Sequence, residues 1–297
     1  MGKKTTFSAG FERSKLRTYL NLLRYFKRNR DFALHDYHNV FCQAKAVMEK
    51  HVRTDIENTR ILEVGCGQRF AVTLLFHLMG AQAVGIDTDF VDPSFSVRGY
   101  LSVWKKNGFE RFAKTLFRHI LFDRAYYATL EKEFGRPLRT RNVDVRIMNA
   151  CALDFPDGRF DYVYSNAVFE HIDDVGRACE EVARVLKENG IANIGIHLFP
   201  SLSGGHNLEW SSPDEKPATS APPWDHLRQD LFPAHVYLNK LREKDYLEMF
   251  DKRFSIVDTY SRYEGEQYLS EAIKVELSDY SKEDLLKREL RVIMRKK

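Results

Sequence analysis

The segment Ile61-Leu62-Glu63-Val64-Gly65-Cys66-Gly67 constrains this chain more than any other. A short apolar run ends in two closely spaced glycines. An apolar stretch with helical spacing follows from about Arg69 to Met79, where Gly80 stops it. A strand, a glycine turn and a helix account for that order. Glycines in such a turn let a ligand approach the main chain, while the helix N-terminus presents free N–H groups. Ala83 to Ile86 reads as a second strand and ends at Asp87, one strand–helix–strand unit beyond Glu63. A carboxylate there can accept both hydroxyls of a ribose. The spacing predicts an adenosine-type ligand at the carboxyl ends of the strands.

The turn also excludes some nucleotides. A dinucleotide loop of the form GxGxxG needs its third glycine where this chain has Phe70, so NAD and FAD are disfavoured. No GxxxxGK[ST] sequence is present, which excludes a P-loop.

Further strands are predicted at Val143 to Met148, Phe160 to Ser165, Ile191 to Leu198, Phe254 to Tyr260 and Glu289 to Met294. Between the fourth and fifth, Val175, Ala178, Cys179, Val182, Val185 and Leu186 form one apolar stripe of a helix that Gly190 ends. Helical patterns also cover Glu12 to Val52, Leu101 to Phe134, Val236 to Phe250, Glu266 to Leu277 and Lys282 to Lys287. Strand and helix alternate, which implies a doubly wound α/β domain with a seven-stranded, mostly parallel sheet. The organisation expected is a basic helical cap over 1–57 and an α/β core over 58–199 with a helical insertion at 90–142. A Pro/Gly-rich loop at 200–235 and a completing segment at 236–297 follow. Loops of that length in compact domains are usually functional.

The formal charge of +4 hides an asymmetry. Met1 to Arg30 is net +8 and Arg98 to Arg141 net +7, leaving the remainder at −11. The two basic segments could face an anionic partner, such as a phosphate, a nucleic acid or a lipid headgroup surface, or could be the solvated faces of amphipathic helices. The four cysteines lie far apart without a CxxC pair, so neither a disulfide framework nor a metal-ligating set is expected. There is no apolar run of the ~18–20 residues a transmembrane helix needs, and no signal-peptide core near the N-terminus. A soluble, cytoplasmic protein is expected. The apolar and aromatic N-terminal helices could serve as a homodimer interface.

The glycine turn resembles motif I of class I S-adenosylmethionine-dependent methyltransferases, in the bacterial small-molecule, type 11-like branch. Glu63, Gly65 and Gly67 match that motif, and Arg69 replaces its third glycine. Asp87 falls where the family's ribose-binding acid sits, and Asn149-Ala150-Cys151 where it places an adenine-contacting turn. The stretch from Asp154 to Gly190, including Ser165-Asn166-Ala167-Val168-Phe169-Glu170-His171, is similar to the same branch. The resemblance implies a Rossmann-like fold and S-adenosyl-L-methionine as cofactor. Its ammonium would be held at Glu63, its ribose at Asp87, its adenine edge at Asn149, Ala150 and Cys151, and its methionine end at the backbone of Ser165. Gly65, Cys66 and Gly67 would line the turn. Arg69 is expected to pair with the cofactor carboxylate.

Methyl transfer is an in-line displacement, so the protein mainly supplies proximity, and a base where the acceptor must lose a proton. His171, His197 at the end of the fifth strand, His206 and His226 are the candidates, with His171, His206 and His226 preferred. Trp210, Trp224 and Asp225 in the Pro/Gly-rich loop are expected to contact the acceptor. The expected activity is methylation of O or N on a small-molecule, glycan or lipid-linked acceptor, which the basic segments suggest is phosphorylated. An RNA methyltransferase and a non-catalytic cofactor-binding protein remain alternatives. Nucleic acid is disfavoured because Ser165-Asn166-Ala167-Val168 stands where base-amine methylation typically uses [DN]PP[YFW].

Overall fold

Arg60–Val64 forms β1, four of its five side chains buried, as expected of a strand covered on both faces of a parallel sheet. It lies between β2 (Gln82–Asp87) and β4 (Phe160–Asn166), parallel to both, with Leu62 opposite Val84 on one side and Val163 on the other. The remaining strands are β3 (Asp144–Ile147), β5 (Leu186–His197), β6 (Phe254–Tyr263) and β7 (Lys287–Lys296). The computed structural model describes residues 28–89, 97–119, 123–140, 142–207, 210, 218, 220–234 and 236–297. Their sheet order is β3-β2-β1-β4-β5-β7-β6, with β7 antiparallel to both of its neighbours. The sheet is thus seven-stranded, mostly parallel and doubly wound, as expected. The order reverses between β1 and β4, and open α/β sheets bind ligands at that switch point, beyond the carboxyl ends of the strands.

The helices are α1 (Asn29–His35), continuing through a π turn at Asp36–Phe41 into α2 (Cys42–His51), then α3 (Ala71–Leu78) after β1. The insertion holds α4 (Val97–Arg118), broken at Gly108, and α5 (Arg124–Phe134). Next come α6 (Val175–Val185), the short α7 (Asp225–Arg228), α8 (Glu243–Asp251), α9 (Glu271–Glu276) and α10 (Lys282–Leu286). One core lies between β4, β5, α6 and α8, and a second joins α2, α3 and α5 through Phe41, Phe76, Tyr126 and Tyr162. The part of the N-terminal helical expectation before residue 28, with Tyr19 and Tyr25, lies outside the described residues; Tyr37 packs against Phe41.

Three expectations differ from the structure. Gly190 does not end α6: the helix stops at Val185, and Leu186 has already turned to extended backbone. Gly190 instead belongs to a bulge in β5, where pairing jumps from Phe160–Leu186 to Tyr162–Ile191. The helix predicted from Val236 begins only at Glu243, where the Asp245 carboxylate accepts the Arg242 N–H and closes the first turn. The Pro/Gly-rich segment is not a free-standing loop either. Leu202, Trp210 and Trp224 pack with Ile273, Leu277 and Leu285, so 200–235 and the C-terminal helices share one core. Among the described residues no helix is long and apolar enough to cross a membrane.

Candidate active site

Gly65 and Gly67 both have left-handed backbone, with φ of +75° and +62°. The Gly65 and Cys66 N–H groups donate to the Ile86 carbonyl at 2.9 and 3.0 Å, and Gly67 N–H donates to Asp87 Oδ2 at 2.9 Å. The turn after β1 is therefore pinned to the end of β2. At Gly65 there is no room for more than hydrogen: a Cβ would lie 2.2 Å from Val168 Cγ2. Phe70 precedes α3 in the same left-handed region, at φ +37°, and is wholly buried beside Cys66, Leu74 and Val143. The missing glycine is thus replaced by strained backbone held in place by a buried ring.

A cleft of about 410 Å³ opens at these strand ends. Its walls include Gly65, Asp87, Met148, Asn149, Val168 and His171, and its described lining carries two acids, Asp87 and Asp173, with no Lys or Arg. Asp87 is held from both sides, since Oδ1 also accepts the Asp89 N–H at 2.9 Å. A carboxylate has further lone pairs on each oxygen, so it can still accept ribose hydroxyls. Asn149 and Ala150 line the cleft, with the Asn149 side chain accepting the Cys151 N–H at 2.8 Å.

Four other expected cofactor residues stand behind the cleft wall. Glu63 Oε2 accepts from the Thr73 N–H and hydroxyl, anchoring α3, and burial pushes this carboxyl up to about 7. Cys66 is buried, and the buried Ser165 hydroxyl donates to the Val64 carbonyl at 3.0 Å. Arg69 turns away to the inserted helices. Its guanidinium donates to Asn29 Oδ1, lies 3.6 Å from Asp123 and sits over the Tyr126 ring. The expected pairing of Arg69 with the cofactor carboxylate is replaced by this structural clasp.

The histidines divide. His171 lines the cleft, and its Nδ1 lies 2.8 Å from the Tyr237 carbonyl. That contact places the proton on Nδ1 and leaves Nε2 as an acceptor. The His206 ring lies 4.9 Å from His171 and 4.8 Å from His197. Burial lowers His197 well below the ordinary imidazole range and His206 to about 4, and neighbouring histidines add to both shifts. Next to them is Glu170, which sequence reasoning passed over although it adjoins His171; burial pushes its carboxyl up to about 8.

His226 is not on the cleft. It packs against Gly205 and Phe199, with Nε2 2.8 Å from the Phe199 carbonyl. Trp210 and Trp224 also face inward, donating to the Ala221 and Leu285 carbonyls. Asp225 accepts the Phe232 N–H and is 2% exposed. These four residues build the core of the 200–235 segment, because large indoles are more stable buried with their N–H satisfied than displayed in water.

Residues 108–194 match a family model described as a methyltransferase domain. That span is under a third of the chain, and over it the chain resembles methyltransferase domains. The matched span begins beyond the glycine turn and takes in Asn149, Ser165 and His171. No curated protein matches this chain. Among solved structures it is similar to a candidate S-adenosylmethionine-dependent methyltransferase from Listeria monocytogenes, at 14% identity and a TM-score of 0.50, over 89% of this chain and 98% of that one. At that identity the likeness speaks for the fold. An S-adenosylmethionine-dependent methyltransferase from Mesorhizobium loti matches at 15% identity and a TM-score of 0.45, over 84% and 96%.

The cleft's lining fits S-adenosylmethionine, the cofactor that the resemblance implies. The molecule carries a sulfonium and an ammonium and no phosphate, which suits a lining with two acids and no cationic side chain. When bound it supplies an electrophilic methyl group. Asp87, Asn149 and the backbone of Gly65 all line this cleft.

Proposed function

We propose that the domain methylates an O or N atom of a small, amphiphilic acceptor, of the glycan or lipid-linked kind, with His171 as the base. The observation that carries this reading is the position of His171 on the wall of the cleft. Its Nδ1 is engaged by Tyr237 and its Nε2 is left as an acceptor. Bound here, S-adenosylmethionine would supply the methyl group, and Nε2 of His171 would take the proton that the acceptor atom loses as it is methylated. The buried His206 stands behind that ring and supports its orientation. Asp87, Asn149 and Gly65 make up the cofactor side, and the second wall of the cleft comes from the Val168–Asp173 turn.

The inserted helix α4 favours the amphiphilic acceptor class. Leu101, Trp104, Phe109 and Phe117 are exposed on it, with Lys105 and Lys106 between them. Apolar rings interleaved with bases suit an acceptor with an apolar body and an anionic group. A backbone-tracking RNA surface would instead need cationic side chains along the cleft, and its described lining has none.

The test is calorimetric titration with S-adenosylhomocysteine, followed by transfer of labelled methyl groups from S-adenosylmethionine to lipid, glycan and RNA fractions. Micromolar cofactor binding, label in the lipid or glycan fraction and loss of transfer in His171→Gln are expected. Cofactor affinity should be retained in that variant. A folded protein that binds no cofactor, or one that labels only RNA, would overturn the reading.

A further inference from the structure

Behind the cleft, three side chains able to bind metal come together from three parts of the chain. Glu170 comes from the turn after β4, His197 from the end of β5 and His206 from the segment beyond it. One ligating atom of each lies within 4.8 Å of the other two. Sequence separation hid the group: helix α6 and nearly all of β5 lie between the first two positions, and no metal-binding spacing is present.

The polar atoms here are poorly satisfied. Glu170 is 2% exposed, and neither of its carboxylate oxygens has a hydrogen-bond partner of ordinary geometry, although the Glu170 and His197 N–H groups lie near enough to favour its charged form. His206 Nε2 is likewise buried without a partner, and it faces Glu170 Oε1 from 4.0 Å. Buried polar groups are nearly always paired, and an unmet set of this kind marks a place where an ion or water belongs. A carboxyl and two imidazoles are the donor chemistry of zinc-class ions.

An outer layer of contacts supports one of the imidazoles. Ser203 gives its hydroxyl hydrogen to Glu264 Oε1 at 2.6 Å, so toward His197 Nε2, 2.9 Å away, it can only accept. His197 therefore carries its proton on Nε2 and keeps the Nδ1 lone pair free. Arg288 in turn pairs with Glu264 Oε2 at 3.2 Å. A carboxylate that fixes an imidazole's tautomer is the usual outer support of a metal-binding histidine.

We propose that Glu170, His197 and His206 form a binding site for one divalent transition-metal ion of the zinc class. Zinc bonds of about 2.0–2.2 Å space tetrahedral ligands roughly 3.3 Å apart, so the three side chains close inward by on the order of 1 Å when the ion enters. Three protein ligands leave a coordination position for water or for an acceptor oxygen. The His206 ring also touches that of His171 on the cleft wall. The ion would thus lie next to the methyl-transfer site.

The full chain, stripped with a chelator, is titrated with cobalt(II), followed by its visible absorption, and with zinc(II) by calorimetry. Saturable binding of one ion per chain is expected, with intense tetrahedral cobalt bands that one equivalent of zinc abolishes. Glu170→Gln and His206→Asn should each weaken binding at least tenfold. His38→Gln, a surface position paired with Glu133, should leave it unchanged. The glutamine variant removes a buried acid and should unfold no earlier than wild type without metal, and asparagine tolerates the left-handed backbone of His206. Absence of saturable binding, or wild-type affinity in both ligand variants, overturns the site. No cofactor enters this measurement, so it stands or falls separately from the methyltransferase reading.

Discussion

The Arg69 guanidinium carbon lies 4.1 Å from the centroid of the Tyr126 ring, which joins the glycine turn to the inserted helix α5. The same side chain reaches Asn29 on α1 and the buried Asp123. Arg69 thus fastens the N-terminal helix and the insertion to the edge of the cofactor cleft. Arg69→Ala should leave affinity for S-adenosylhomocysteine within about threefold. It should lower stability by about 2 kcal/mol, the scale of a desolvated cation–π contact combined with a charged hydrogen bond. Titration calorimetry and urea unfolding check the two halves separately. A tenfold loss of affinity at unchanged stability would return Arg69 to the cofactor.

Asp87 fixes the glycine turn through Gly67 N–H and lines the cleft. Asp87→Ala removes both functions at once. Affinity for S-adenosylhomocysteine should fall at least tenfold, which corresponds to about 1.4 kcal/mol. Asp87→Asn keeps an acceptor but loses the charge, and its affinity should lie in between. Equal affinity of all three proteins would show that the ribose does not reach this strand end.

The two glycines of the turn should respond differently to the same change. At Gly65 an added Cβ meets Val168 at 2.2 Å, while at Gly67 nothing lies within 4 Å. At both, a side chain on left-handed backbone costs about 1 kcal/mol. Gly65→Ala adds overpacking, for a total of about 2–4 kcal/mol, and pushes the Val168 turn into the cleft. Val168→Ala in that background should recover part of both stability and cofactor affinity. Without such recovery, Val168 is not what makes Gly65 necessary.

The sheet could be read from the sequence because its strands are short, apolar and bounded by glycine or acid. β1, Arg60–Val64, takes in the apolar run before the glycine turn, and Asp87 ends β2 at the expected position. The Asp87–Asn149–His171 side of the cleft followed, since those residues sit just after strands. What failed to show was any fact that depends on non-local packing. The indoles of Trp210 and Trp224 suggest acceptor contacts when read in a Pro-rich loop, but α9 and α10, far along the chain beyond β6, give them a core to enter. Of the partners of Arg69, Asn29 lies far before it in the chain and Asp123 far after it, and no local pattern specifies either. Gly190 looked like a helix stop because a bulge and a C-cap use the same residue.

Trp224 is wholly buried, and its indole N–H donates to the Leu285 carbonyl at 3.2 Å. Trp224→Ala should cost about 3–5 kcal/mol, the range for deleting a buried aromatic. Trp224→Phe keeps most of the packing and should cost less. Neither should change cofactor affinity in protein that remains folded, because the side chain lies outside the cleft. Loss of acceptor turnover in a fully stable Trp224→Phe variant would instead support a role at the acceptor.

Glu63 gives a pH signature with a defined sign. Its carboxyl is buried and pushed up to about 7, whereas in the unfolded chain it titrates near the ordinary glutamate value. Between those values the folded state holds the extra proton, so stability falls as pH rises from about 4.5 to about 7. Below that window the group is protonated in both states and contributes nothing. Above it the full cost of a buried carboxylate is present, about 3 kcal/mol from the size of the shift. Glu63→Gln can still accept the Thr73 donors but does not titrate. Urea unfolding of both proteins from about pH 4.5 to 8 should show the variant gaining on wild type as pH rises, because every other titrating group is shared. Parallel stability curves would mean that Glu63 is ionised throughout, with its charge compensated by its Thr73 donors.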